Sequence, residues 1–229
     1  FRALSQRMAK AYCQQHLQVM PLAALDVLAK VRKQAQAGAA DLAKGSTAGA
    51  WPADLSRQLE EVQKQYTVLN TLTATAPSKA SAAAVAEQAD RMMTAAQTAT
   101  ESLEKLARAP SAKLVGMAGR QRMLSQRMAK QYFLLAAGVD PKASQTQMNA
   151  DAAEFKQALQ PLAAAPVSTP AIRTELELGQ AQWLFFEAAM RRHPDTKGME
   201  AVATTSERLL EVMDRLTSLY DAALREVLG

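Results

Sequence analysis

The sequence predicts an all-α protein built as two tandem antiparallel four-helix bundles. Three observations carry that reading. Only 9 of the 229 residues are Gly and 9 are Pro, aromatics make up 5%, and long runs of Ala, Leu, Gln, Glu and Lys lie between the breaks. The stretch "RALSQRMAKAY" at 2–12 returns as "RMLSQRMAKQY" at 122–132, identical at 9 of 11 positions and at an offset of 120. Helix-breaking segments also fall at matching places in the two halves, so that each half divides into four helices joined by short connections.

In the first half the opening helix carries the motif and stops at Met20-Pro21. A second helix runs to "GSTAGAWP" (45–52), a third to "TATAPSK" (73–79), and a fourth to "LARAPSAK" (106–113). In the second half, Pro110-Ser111 starts a helix with Ser111 as its N-cap, running to about Gly138. The turn "GVDPKAS" leads to a helix at about 142–164, and "AAPVSTP" breaks it. Thr169-Pro170 then caps a third helix to about 192, and "HPDTKG" precedes the last, at about 197–228. That last helix places Val202, Leu209, Val212, Leu216, Leu219 and Ala223 on one stripe at spacings of three, four and seven.

A second register supports the duplication. "LSRQLEEVQKQY" (55–66) aligns with "IRTELELGQAQW" (172–183) at an offset of 117, and "VAEQADRMM" (85–93) with "VATTSERLL" (202–210) at the same offset. The three-residue slip between registers is placed in the loop after each motif, where length changes are tolerated. The units are 1–109 and 110–229.

The net charge is +5, from 27 Lys+Arg against 22 Asp+Glu. Arg2, Arg7, Lys10, Arg120, Arg122, Arg127 and Lys130 supply seven of those cations, and the remainder balances at 20 to 22. Positive charge is therefore local to the motifs. A nucleic-acid surface needs cations spread along a face to track phosphates, so this pattern counts against a broad one and favours a small anionic partner. No stretch approaches the ~18–20 apolar residues of a membrane span. The single Cys13 cannot form an intrachain disulfide and reads as a small buried hydrophobe.

At about 100° per residue, the motif helix of the second half has three stripes. Leu114, Met117, Leu124, Met128, Tyr132 and Leu135 form the core side; Arg120, Arg127, Lys130 and Gln131 lie opposite and read as a solvated face. Arg122 joins neither, but shares Val115, Ala118, Gly119, Ser125, Gln126, Ala129, Phe133 and Ala136. Small residues on a stripe admit a neighbouring helix, so Arg122 points into or beside a helix contact where its charge needs a counter-ion. In the same way Arg2 shares a face with Ser5, Gln6, Ala9 and Cys13. An ordinary explanation for such an arginine is solvation, or pairing with a carboxylate on a neighbouring helix.

Enzyme chemistry finds no foothold: paired core carboxylates, a Glu-x-x-His pair, a Ser/His/Asp set and a phosphate-cradling Gly loop are all missing. His16 and His193 stand at non-corresponding positions without metal-ligand spacing. The expectation is therefore no enzyme, no metal and no cofactor.

"AGRQRMLSQRMAKQYFLL" (118–135) resembles the signature of the PilJ-type sensor domain, the N-terminal domain of type IV pili methyl-accepting chemotaxis transducers. It is also similar to the P-box of bacterial nitrate/nitrite sensor kinases, through Ala118, Gly119, Arg122, Met123, Ser125 and Arg127. The resemblance implies a periplasmic four-helix sensor for nitrate or nitrite, working in chemotaxis or type IV pilus signalling with a membrane-bound signalling partner. In the nitrate sensors an arginine from each of two first helices clamps the anion, which carries over here to Arg122 and Arg2, with Gly119 permitting close backbone approach. Ser5, Gln6, Ser125 and Gln126, which share the arginines' stripes, complete the candidate ligand-binding set. Phe1 stands where Gln121 does in the other copy. The alternative class is a structural or protein-interaction bundle without a small-molecule ligand.

Two arrangements of the halves are open, and they set the oligomeric state. If Pro110 marks a reversal, the two motif helices run parallel and side by side, giving a pseudo-dimeric monomer with Arg2 and Arg122 across one site. A helix continuing through Pro110 would stack the bundles end to end and require a homodimer. Proline suits a first helical turn better than a helix interior, which favours the reversal.

Overall fold

The computed structural model describes residues 1–47, 49 and 51–228. Eight helices occur among them and no strand: α1 (Arg2–Leu17), α2 (Pro21–Thr47), α3 (Ala53–Thr73), α4 (Lys79–Ala107), α5 (Pro110–Ala136), α6 (Pro141–Ala164), α7 (Pro170–Met190) and α8 (Thr196–Leu228). The breaks expected from Pro, Gly and Ser-Thr clusters fall within a few residues of these boundaries.

The same turn follows both motif helices. Gln18 (φ 58°) and Gly138 (φ 73°) take the left-handed conformation, Met20 (φ 47°) and Asp140 (φ 41°) take it again, and Pro21 and Pro141 start the next helix. The amide of Val19 donates to the Gln14 carbonyl and that of Val139 to the Leu134 carbonyl, both at 2.9 Å. The 120-residue register thus persists past the turn. The slip falls later, because α2 has 27 residues and α6 has 24. This corrects its expected place in the loop after the motif.

Between α4 and α5 the chain reverses over two residues: Arg108 is left-handed (φ 52°), Ala109 extended, and Pro110 the first helical residue. Ser111 is not the N-cap. It lies inside the helix, buried, with its hydroxyl unpartnered. Pro110 at the first position brings no N–H, so one of the donors a cap would satisfy is simply absent. Thr169, in contrast, does cap α7, its hydroxyl accepting from the Ile172 amide at 3.2 Å.

α1 and α5 pack against each other at the centre of the molecule. They run in the same direction, since Arg2 bonds the Gly116 carbonyl at one end while Cys13, further along α1, feels Lys130 further along α5. α2 and α4 flank α1, α6 and α8 flank α5, α3 closes onto α4, and α7 onto α8. α2 barely touches α3, and α6 barely touches α7. One apolar core runs through both halves and includes Met8, Tyr12, Leu124, Met128, Tyr132 and Phe133, all essentially inaccessible. Phe155 stacks on Trp183 with ring centroids 4.7 Å apart, joining α6 to α7 where they do meet. A smaller cluster of Leu55, Leu59, Val62, Ala96 and Ala99 ties α3 to α4.

The expected solvated face of α5 is not solvated. Lys130 is fully buried and bonds Asp90 of α4 at 2.6 Å; Gln131 is buried too. Arg127 grips the buried Asp151 of α6 through Nε and Nη2 at 2.9 and 2.8 Å, and Arg120 reaches Glu154 of α6 through Nη2 at 2.9 Å. The reason is topological: α1, α4, α6 and α8 all pack around α5, leaving it no free side. Amphipathic periodicity assumes one buried face, and a central helix has none to spare.

Lys10 is equally inaccessible and bonds Glu207 of α8 at 3.0 Å and the Ser206 hydroxyl at 3.2 Å. The two lysines therefore cross over, each from one half to a carboxylate in the other. Burial lowers the pKa of both, opposed by their carboxylates. Burial also works to raise the Glu207 carboxyl, but Lys10 and Arg7 outweigh it and hold it below its ordinary value.

Two expectations follow from these pairs. Arg127→Ala strands Asp151 as a buried, unpaired carboxylate and should cost about 3–5 kcal/mol in urea denaturation; a loss under ~0.5 kcal/mol would mean the pair is effectively solvated. Because the folded pKa of Glu207 lies below its unfolded value near 4.5, its stabilisation is full above that pH and is lost as pH falls through the folded value. Glu207→Gln should accordingly flatten the acid limb of stability against pH, measured as denaturation midpoints across that range.

Candidate functional site

Where α1 and α5 begin, α4 and α8 close over them, and the four helices enclose a cavity of about 390 Å³. Arg2, Glu104, Gly116, Gly119, Arg122 and Asp221 supply its polar and backbone surface, with Leu103, Val115 and Leu224 among its apolar walls.

Gly119 is what lets the two motif arginines converge. A Cβ there would stand 3.0 Å from Arg2 Nη2 and 3.4 Å from Arg122 Nη2, so both guanidinium groups occupy the space a side chain would fill. Gly116, one turn earlier, leaves room for the Glu104 side chain, which a Cβ would strike.

Arg2 is 8% exposed. Its Nη1 donates to Gln97 Oε1 at 2.8 Å and its Nη2 to the Gly116 carbonyl at 2.9 Å. Both acceptors are neutral, and among the described residues no carboxylate oxygen comes within 4 Å of it. Burial, followed by repulsion from Arg120 and Arg122 and opposed by Glu104 and Glu101, brings its pKa down to about 10, which still leaves it charged at neutral pH. Arg122 is less buried, with 36% of its side chain exposed, and its one carboxylate contact is long: Nη1 to Asp214 Oδ1 at 3.4 Å. Its Nε is buried without a partner. Burial raises the Asp214 carboxyl above its ordinary value, with Arg122 pulling it back. Glu104 is raised in the same way, burial again leading and Arg2 opposing.

Of the seven candidate residues, Arg2, Gly119 and Arg122 line the cavity, whereas Ser5, Gln6, Ser125 and Gln126 do not. These four are fully buried one turn deeper and hold the helices that present the arginines. Ser5 and Ser125 donate to the carbonyls of Arg2 and Arg122 at 2.6 and 2.7 Å. Gln6 Nε2 donates to the Ala89 carbonyl of α4 at 3.3 Å, and Gln126 Nε2 to the Ser206 carbonyl of α8 at 3.2 Å. Their Oε1 atoms are both buried and unpartnered.

Motif reasoning missed the residues that meet the arginines from α4 and α8. Gln97 is the main one: its Oε1 also accepts from Arg120 Nη1 at 3.2 Å, and its Nε2 donates to Glu101 at 2.9 Å. The signal was available, since the 117-residue register equates Gln97 with Asp214, and Asp90 with Glu207. What the cavity offers chemically is positive charge and guanidinium donors on a partly apolar wall.

A protein-family model described as Type IV pili methyl-accepting chemotaxis transducer N-term (PilJ) matches residues 107–210. That span contains α5, α6, α7 and the first part of α8, including Gly119 and Arg122. No curated protein and no solved structure matches the chain.

A buried cation without a counter-ion is costly when its site is empty. Arg2→Met should therefore stabilise the protein in anion-poor buffer by roughly 1–4 kcal/mol, since apolar replacement of buried charge is often stabilising and Gln97 keeps Arg120 as a donor. A melting point lowered by this substitution would show that Arg2 is a structural bond instead.

Proposed function

We propose that the chain, whose residues 107–210 match the PilJ family model, is an extracytoplasmic sensing module which binds nitrate, or nitrite, between α1 and α5. The observation that carries this reading is Arg2: a buried guanidinium held by two neutral acceptors, repelled by two other arginines and lacking any carboxylate within 4 Å among the described residues. Arg122 lies across Gly119 from it with a long, weak ion pair and a free Nε. A flat anion entering between them would accept paired N–H bonds from both forks, each worth roughly 1.5–3 kcal/mol where water is excluded.

In this reading residues 1–109 are a second copy of the unit at 110–229, and the two make one site in one chain. The recurrence of equivalent bonds supports it: Tyr12 hydroxyl to the Thr75 carbonyl and Tyr132 hydroxyl to the Arg192 carbonyl, and Lys10 to Glu207 and Lys130 to Asp90. No described helix is long and apolar enough to cross a membrane. In this reading the module works with a membrane-bound signalling partner. The module's place in chemotaxis or type IV pilus signalling comes from the family match.

Isothermal titration tests the reading. Nitrate should bind a monomer with one ion per chain, and its melting point should rise with nitrate concentration. Arg2→Ala and Arg122→Ala should each abolish binding, and Arg122→Lys should weaken it by loss of the two-pronged contact. Gly119→Ala should fold but bind more weakly, because the new Cβ displaces Arg2 Nη2. A wild-type chain with no heat and no thermal shift for nitrate, nitrite or other small oxyanions would leave an interaction bundle as the better description.

A further inference from the structure

The two halves of the cavity differ at one equivalent pair of positions. On α4 the residue that meets the motif arginine is Gln97, and on α8, 117 residues later, it is Asp214. Each sends a side-chain oxygen to the arginine of its own half: Gln97 Oε1 to Arg2 at 2.8 Å, Asp214 Oδ1 to Arg122 at 3.4 Å. The geometry is shared and the charge is not.

The nearest charges can be counted. Within 4 Å, Arg120 is paired with Glu154 and Arg122 with Asp214, whereas Arg2 has no carboxylate that close among the described residues and feels Glu104 and Glu101 only from further off. Gln97 sits between Arg2 and Arg120 with its oxygen turned to both and its amide turned to Glu101. A carboxylate at this position would ion-pair with Arg2 and close the account. Glu104 and Asp221 also line the cavity, and among the described residues neither comes within 4 Å of the Arg2 or Arg122 guanidinium. Arg2 is therefore the motif arginine without a directly paired counter-ion, in a cavity that already holds the Glu104 and Asp221 carboxylates.

Resting on the anion-site reading above, we propose that the amide at Gln97 and the carboxylate at Asp214 set the valence of the ligand: one open charge selects a monoanion over a dianion. Gln97 keeps Arg2 unneutralised, and Asp214 prevents a second open charge at Arg122. A dianion such as sulfate would bring a second negative charge beside Glu104, Asp214 and Asp221, where it meets no further unpaired guanidinium. Gln97 and Asp214 thus act on specificity through the arginines they hold.

The test is calorimetric titration of wild type, Gln97→Glu and Asp214→Asn with sodium nitrate and sodium sulfate, each variant's helicity and melting point being recorded alongside. Wild type should prefer nitrate. Gln97→Glu should lose nitrate by roughly tenfold or more, the equivalent of one charge-assisted bond. Asp214→Asn should shift the sulfate-to-nitrate affinity ratio towards sulfate by a similar factor. Folded variants with wild-type affinities and ratio would overturn the proposal while leaving the anion site standing. An Asp214→Asn chain that tightens on both ions equally would also overturn it, because charge would then tune strength and not choice. A wild-type chain that binds neither ion overturns the anion site itself.

Discussion

Parallel contact between α1 and α5 is the constraint from which the rest of the structure follows. Each helix carries arginines and a lysine at matching positions, so bringing them side by side in the same direction concentrates like charge at the middle of the molecule. A helix pair of this kind is unfavourable alone. It persists because the flanking helices deliver carboxylates to it: Glu207 from α8, Asp90 from α4, and Asp151 and Glu154 from α6. The crossing of the lysine bonds matters here. They join the Arg7–Glu207, Arg2–Gly116 and Arg120–Gln97 bonds, which also run between the halves. Each half thus completes the electrostatics of the other.

Against that background Arg2 is exceptional for what it lacks. Its neighbours in the motif have been neutralised, and it has been given an amide and a carbonyl. Local instability of this kind is common where a ligand is to be bound, because the energy missing in the empty state is recovered on binding. Beneath the arginines, Gln6 fixes α1 to α4 and Gln126 fixes α5 to α8, while Ser5 and Ser125 bond the carbonyls of Arg2 and Arg122 within their own helices.

Much of the fold was legible in the sequence because its signals are local. Pro21, Pro110, Pro141 and Pro170 mark four helix starts, the repeat shows the pairing of elements, and the Val202–Leu216 stripe shows how α8 lies. Two of the readings that failed did so for different reasons. Assigning Arg127, Lys130 and Gln131 to solvent supposed a helix with an outer side, which α5 does not have. Assigning Ser111 as a cap gave weight to its propensity over the preceding proline. At the site, Arg2, Arg122 and Gly119 could be found because they lie in the repeated motif. Gln97 could not be found from the motif, since its importance depends on α4 lying beside α1. Only the second register, matching Gln97 to Asp214, carries that information, and only for a reader who already knows the two helices meet the arginines.

The reversal at Arg108 and Ala109 has a consequence beyond geometry. A pair of identical subunits finds its partner at a rate and to an extent set by how much protein is present, and dilution dissolves the pair. Here two residues tether the end of α4 to the start of α5, so the encounter of the halves is intramolecular and their effective concentration is a property of the chain. The cavity is present in a single copy of the protein as fully as in a million. Tethering also frees the two faces from identity. In a symmetric pair any substitution appears twice, and a site between two copies has to carry equal charges on both sides. In one chain the amide and the carboxylate can stand opposite one another, and the two sides of one cavity can differ.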